Sequence, residues 1–318
     1  MRPRDSGGDF GGTHTRLALA SPRGNAWSLS RFREFPTGGD AGALVRRFLK
    51  DTAEPGPERA AFCGAGPVAK DGSIRLTNAE VTLDPAALAA AAGLQQVILV
   101  NDFAAIGHAV PRLPPEALRH CGGGAATPGA AKVIIGPGTG LGVSIVMPVT
   151  GGWFVIEGDG GHADLAPVDE GQLDAWRRLR ATHGRVAAET VLSGPGLERL
   201  YAALSPDERR TAVQIAADAW LGEERAARVV QMFTRWLGSV AGNLALTAGA
   251  RGGVFIAGGI VPRWAERFDV ALFRAAFEDK APYAPWLRAI PSFIVTYPQP
   301  GLLGLSALAG ASPHESLR

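Results

Sequence analysis

The chain is short of the residues that staple or metal-clamp small proteins. It has 2 cysteines in 318 residues, Cys63 and Cys121, too few for a disulfide framework or a zinc set. A reducing compartment, the cytoplasm, fits that usage. Charge is also scarce and balanced. Charged residues make up 19% of the chain, and 32 basic against 30 acidic side chains leave a net charge of +2. That balance gives no electrostatic footprint for a polyanion and argues against a nucleic-acid partner. No apolar run reaches the roughly 18 residues of a membrane span, so no membrane is expected. The opening MRPRDSGGDFGGTH carries basic residues but no apolar stretch behind them, so no secretory signal is expected. No repeat of about 20–50 residues marks a solenoid.

What the chain does have is apolar mass and turns. It is 46% hydrophobic, with 42 Gly and 23 Pro, which excludes a disordered chain. Its length suits two domains of roughly 100–200 residues each. Hydrophobic patterning predicts strands over 16–20, 60–63, 73–76, 96–100, 132–135, 143–147, 153–156, 254–257 and 293–297. It predicts helices over 41–50, from Asp84-Pro85 to Gly93, over FAAIGHAV, around 173–179, over 223–247 and over 301–309. The strand at 96–100 reads as buried on both faces. Strand–helix alternation, repeated in the second half, predicts an α/β protein with helices packed on mixed sheets. The Pro-rich stretch at 111–115 is the expected boundary.

Six local patterns carry chemistry. Asp9-Phe10-Gly11-Gly12-Thr13 sets a carboxylate and a hydroxyl around two glycines. Asp9 could hold Mg²⁺ and Thr13 could donate to a phosphate oxygen; an ordinary hairpin turn uses the same residues. Gly136-Pro137-Gly138-Thr139-Gly140-Leu141-Gly142 follows a strand. It lacks the Lys of a Walker A loop and the following helix of a dinucleotide fingerprint. It is a phosphate clamp or a tight turn, and two such Gly-Thr hairpins facing one another could grip a triphosphate. Gly258-Gly259 sits at a strand's carboxyl end, where ligands bind in α/β sheets or where a strand simply stops. Asn101-Asp102 ends an apolar strand; the pair could hold a polyol and take its proton, or Asp102 could cap the next helix. Gly158-Asp159-Gly160-Gly161-His162 suits hydroxyl recognition better than a metal, since no second His or Cys stands at ligand spacing. Glu189 is either a surface helix residue or a sugar ligand. The scattered His108, His120, His183 and His314 are expected at the surface or at helix ends.

In this order the motifs resemble the bacterial glucokinase family, hexose kinases of the actin/hexokinase/heat-shock ATPase superfamily. The likeness spans GGDFGGTHTRLALA, GAGPVAKDGSIRLTN, NDFAAIGHAV, VIIGPGTGLGVS, GDGGHADLAP, AAETVLSGPGLERLY, VFIAGGIVPR and YPQPGLLGLSALA, nearly the whole chain. It implies an α/β, two-lobed actin-like ATPase (ribonuclease H-like) fold, with mixed sheets flanked by helices and an interlobe cleft. The small domain would comprise 1–110 plus 299–318 and the large domain 111–298. It implies ATP- and Mg²⁺-dependent phosphorylation of D-glucose at its 6-hydroxyl by a cytoplasmic homodimer whose partners are the sugar and the nucleotide. Asp102 would be the catalytic base and touch the sugar, with Asn101, Asp159, His162 and Glu189 binding hydroxyls and Asn78 nearby. Asp9, Gly11, Gly12 and Thr13 would form the first phosphate motif, with Asp9 toward the metal. Gly138, Thr139 and Gly140 would form the second, and Gly258 and Gly259 the adenosine motif.

The chain departs from that pattern in four places. His14 stands where the family usually has Asn, and Asp159 where it usually has Glu. Asn78 leads into Ala79, Glu80 and Val81 rather than toward a Trp. Arg4-Asp5-Ser6-Gly7-Gly8 occupies what should be an apolar strand, which predicts a degraded first strand and a loosened phosphate-1 hairpin. These departures keep two further readings open: a kinase for another hexose or an amino sugar, and a catalytically impaired sugar-binding sensor. Kinases of N-acetylated sugars carry a Cys-rich zinc motif that is lacking here. Polyphosphate or ADP also stays open as the donor.

Overall fold

Local signals set the element ends. Asp84 is extended and its side chain accepts the Ala87 N–H, Pro85 takes the first helical position, and Gly93 closes the helix in the left-handed region at φ 70°. The computed structural model describes residues 5–23, 26–52, 56–77 and 79–310. The chain runs β1 (Asp5–Phe10), β2 (His14–Arg23), β3 (Ala26–Pro36), α1 (Ala41–Thr52), β4 (Arg59–Gly64), β5 (Ile74–Arg75), β6 (Thr82–Leu83), α2 (Pro85–Ala92), β7 (Gln96–Asn101) and α3 (Asp102–Ala109). It continues β8 (Leu118–His120), β9 (Lys132–Pro137), β10 (Leu141–Val149), β11 (Gly152–Gly158), α4 (Glu170–His183), α5 (Ala188–Val191), α6 (Gly194–Leu204), α7 (Ala212–Trp220) and α8 (Glu224–Ala248). Last come β12 (Val254–Ile256), α9 (Val261–Trp264), α10 (Val270–Glu278), α11 (Ala284–Ala289), β13 (Ser292–Val295) and α12 (Pro300–Gly310). Among the described residues, no helix is long and apolar enough to cross a membrane.

The chain divides into two compact units. One is drawn from Met1–Pro114, Val149–Glu157 and Tyr297–Arg318, the other from Pro115–Pro148 and Gly158–Thr296. The first holds a sheet ordered β3-β2-β1-β4-β7. β1, β2 and β3 run antiparallel, whereas β1, β4 and β7 run parallel. The other sheet is ordered β11-β10-β9-β12-β13-β8, with β9, β12 and β13 parallel and β10 antiparallel to β9. The first five strands of each order therefore share one plan, an antiparallel hairpin feeding parallel strands.

β1 corrects the expectation of a degraded strand. Asp5-Ser6-Gly7-Gly8-Asp9-Phe10 is a full strand, paired on both sides and buried along nearly its whole length. It is small rather than apolar because its neighbours close onto it. A Cβ on Gly8 would run into the Leu17 and Phe62 side chains, and one on Gly7 would come within 3.3 Å of Leu305 Cβ in α12. The apolar mass comes from those neighbours, with Phe10, Leu17, Leu19, Phe48 and Phe62 in one core cluster. Arg4, at the head of that stretch, lies outside the described residues. β7 is less buried than its apolar run predicts, because it is an edge strand with β4 as its partner. In the other unit the core gathers around α8, where Val229, Phe233, Trp236 and Leu237 are fully buried. The predicted stripe over 223–247 starts one residue early, since Glu223 is the N-cap and its side chain accepts the Arg225 and Ala226 N–H groups.

Candidate active site

In the first unit the parallel strands deliver side chains at their carboxyl ends, where α/β sheets bind ligands. In register, Asp9 of β1 lies beside Cys63 of β4, and Cys63 beside Val100 of β7. One residue on, Phe10, Gly64 and Asn101 form the next row. Cys63 Sγ donates to Asp9 Oδ1 at 3.5 Å. Burial first, then the charges of Asp9 and Asp102, hold the Cys63 thiol well above its ordinary range. The buried thiol thus feels both carboxylates. Burial also raises Asp9 above its usual value, opposed by Arg16 and Cys63. Arg16 Nη1 stands 3.6 Å from Asp9 Oδ2, and its Nε donates to Glu34 Oε2 at 2.7 Å.

Gly11, Gly12 and Thr13 form the β1–β2 turn, and Thr37 pins it. Thr37 N donates to Thr13 O at 2.9 Å and Thr37 Oγ1 donates to Gly11 O at 2.7 Å. The turn is held rather than loosened, and Thr13 and His14 are exposed on it. Asn101, not Asp102, caps α3: its Oδ1 accepts the Phe103 N–H at 2.8 Å and its Nδ2 donates to Gly66 O at 3.1 Å. Asp102 is the first helical residue, and its Oδ1 also accepts from Phe103 N at 2.9 Å. Burial raises Glu157 above the usual carboxylate range, opposed by a hydrogen bond from the Asn101 backbone. Asn78 lies outside the described residues.

In the second unit the other motifs meet around one hairpin. Gly138, Thr139 and Gly140 link β9 to β10, with Gly138 N donating to Gly140 O at 2.8 Å. Glu189, on the single turn α5, reaches this hairpin: its Oε2 accepts the Leu141 N–H at 2.7 Å. Gly194 N, at the head of α6, donates to Gly138 O at 2.8 Å. Ile260 N donates to Pro137 O at 3.2 Å, which seats the Gly258-Gly259 segment beside the same hairpin. The Gly160–His162 turn packs on Leu141, whose carbonyl a Cβ on Gly161 would strike. Ala188 N donates to Ala163 O at 2.8 Å and Leu165 N to Val186 O at 3.0 Å, tying that turn to the segment that carries Glu189. The bidentate pair Arg185–Asp164 reinforces the tie. Asp159 and His162 are exposed at its tip.

Sequence reasoning passes over Arg16, Cys63 and Glu157. The Asp9–Arg16 pair is readable from the hairpin register, since the two residues face one another across the β1–β2 turn. Cys63 offers no such signal. His108 stands at a helix end, as expected: it sits in the last turn of α3, half-buried, and burial first and the Arg112 charge second bring it down to about 4. His120 and His183 are exposed as expected, and His314 lies outside the described residues.

The donor chemistry suits a nucleotide-borne Mg²⁺. Among the described residues, no three His, Cys, Asp or Glu side chains gather into a cage. Mg²⁺ on phosphates needs only one or two protein carboxylates, and Asp9 is a hard oxygen donor beside the Gly11–Thr13 turn.

Two sheets in which an antiparallel hairpin feeds parallel strands, flanked by helices, are the architecture of the actin-like ATPase fold. The crystal structure of a glucokinase from an Antarctic psychrotroph superposes with a TM-score of 0.88 at 30% identity, covering 98% of this chain and all of that one (100%). Among curated proteins, the glucokinase of Chromobacterium violaceum is 40% identical over 309 residues, 94% of this chain and 87% of the relative. That of Paramagnetospirillum magneticum is 39% identical over 307 residues, 94% of this chain and 95% of the relative. The sequence profile described as Glucokinase matches residues 7–312, and the chain belongs to the glucokinase family.

Proposed function

We propose that this chain transfers the γ-phosphoryl group of ATP to the 6-hydroxyl of D-glucose, with Asp102 as general base. The observation that carries the reading is the placement of two carboxylates at the carboxyl ends of parallel strands of one sheet: Asp9 in β1, which accepts from Cys63 of β4, and Asp102 directly after β7. Phosphoryl transfer leaves the protein little covalent work, so placement and charge dominate. Asn101 fixes the strand-to-helix corner through Gly66 and Phe103 and so sets where Asp102 begins α3. Asp102 takes the proton from the 6-hydroxyl as that oxygen attacks the γ-phosphorus in line. Asn101, Asp159, His162 and Glu189, with Asn78, orient the sugar's hydroxyls. The Gly11–Thr13 and Gly138–Gly140 turns offer backbone N–H groups and hydroxyls to the phosphates, and Gly258-Gly259 borders the adenosine. When bound, Mg²⁺ supplies charge neutralisation at the phosphates, and Asp9 would hold it directly or through water.

The reading as an impaired sensor drew on a degraded first strand and on His14; of these, β1 is intact. Two free, buried cysteines support a cytoplasmic setting. The homodimer and the division into a small and a large domain belong to the proposal through the family likeness. Replacing Asp102 tests the assignment. Asp102→Asn keeps an acceptor for the Phe103 N–H, so thermal unfolding should be unchanged while kcat falls by about 10²–10⁴-fold. Turnover near that of the unaltered enzyme would refute the base.

A further inference from the structure

Resting on that reading, we infer that Glu189 couples sugar to nucleotide within the site, and that position 140 is glycine to let it do so. Glu189 is a sugar ligand in the reading above, yet one of its carboxylate oxygens is already committed to the phosphate-2 hairpin. Oε2 accepts the Leu141 N–H at 2.7 Å. The same oxygen lies 2.5 Å from where a Cβ on Gly140 would be, and Glu189 Cδ lies 3.2 Å from it. Any side chain at 140 would therefore push the carboxylate off the hairpin. Gly140 itself has no side chain with which to touch a sugar, so its effect on sugar must pass through Glu189.

Two main-chain contacts tether the segment that carries this carboxylate. Ser193 Oγ donates to Glu189 O at 2.9 Å, and Gly194 N donates to Gly138 O at 2.8 Å at the other foot of the hairpin. The short helix α5, the head of α6 and the hairpin are thus joined by hydrogen bonds. A sugar hydroxyl donating to Oε1 fixes the carboxylate's rotamer, which orders the Leu141 N–H and with it the Thr139-Gly140 turn. Nucleotide then binds a hairpin whose ordering cost has already been met, and the coupling is reciprocal.

The test is calorimetry of glucose binding to the full chain, with and without a non-hydrolysable ATP analogue and Mg²⁺, alongside amide hydrogen exchange at Leu141. In the unaltered chain the analogue should tighten glucose binding about fivefold or more, and glucose alone should slow exchange of the Leu141 amide. Gly140→Ala should weaken glucose binding about fivefold, abolish the tightening and leave the Leu141 amide indifferent to glucose. Glu189→Gln keeps an acceptor for Leu141, so it should bind glucose more weakly yet preserve the tightening; Glu189→Ala should lose both. Glucose binding that ignores the analogue, or a Gly140→Ala chain that keeps full coupling, would overturn the inference and leave the kinase reading standing. A chain that binds the analogue but no glucose would instead remove the kinase reading, and this inference with it.

Discussion

Asp159 ends one methylene short of the Glu its family usually carries, so its carboxylate reaches about 1.5 Å less far, roughly one carbon–carbon bond. Asp159 is exposed at the tip of the turn tied to Glu189, so lengthening it meets no packing. Asp159→Glu should lower KM for glucose about two- to tenfold, the worth of one hydrogen bond; an unchanged or higher KM would rule out the role given to Asp159. His108 sets a pH dependence of stability. Its value falls from 6.5 to about 4 on folding, through burial first and the Arg112 charge second. Below the unfolded value the unfolded chain takes up a proton that the folded chain refuses. This contribution is therefore fully present above pH 6.5 and is lost as pH falls toward about 4. The gap corresponds to about 3 kcal/mol. Urea midpoints at about pH 7 and about pH 4.5 should converge for His108→Gln relative to the unaltered chain. Parallel declines in both would show that His108 is not the group responsible.

At the level of elements, α12 is the support on which α3 rests. Gly304 of α12 meets the α3 backbone so closely that a Cβ there would strike the Ala105 carbonyl and approach Ala109 N to 2.9 Å. These are main-chain atoms and cannot swing aside. Gly304→Ala should cost about 2 kcal/mol or more, and should also lower kcat, because α3 begins at Asp102. A variant with unaltered melting temperature and turnover would show that the two helices can part without moving the site. Elements of this sort divide by how much of their cause is local. α2 could be read to within a residue because Asp84, Pro85 and Gly93 are local capping signals. β1 could not, because its burial is supplied by Leu17, Phe62 and Leu305 from other elements. The head of α6 was equally opaque: Gly194-Pro195-Gly196 reads as loop punctuation, yet Ser193 caps it by accepting the Gly196 N–H at 3.0 Å. Strand β3 and helices α7, α10 and α11 went unread, although Thr211 and Gln214 form a capping box on α7 and Asp269 caps α10.

Across the molecule, the same strand plan appears in both units, and each uses its hairpin turn for a Gly-Thr motif. Most of the candidate site was legible because its proposed parts are written as contiguous turns at strand ends: Asp9 to Thr13, Asn101-Asp102, Gly138 to Gly140, Asp159 to His162. What was not legible depends on residues far apart in the chain, such as Cys63 donating to Asp9 across 54 residues, or Glu189 held on Leu141 across 48 residues. Neither contact follows from composition or spacing. The activity of the whole is best tested by one measurement, ADP release by the purified chain with Mg-ATP and a panel of hexoses. The account predicts ADP release with D-glucose, in step with glucose 6-phosphate. Calorimetric glucose binding without ADP release, or turnover confined to a different hexose, would contradict it.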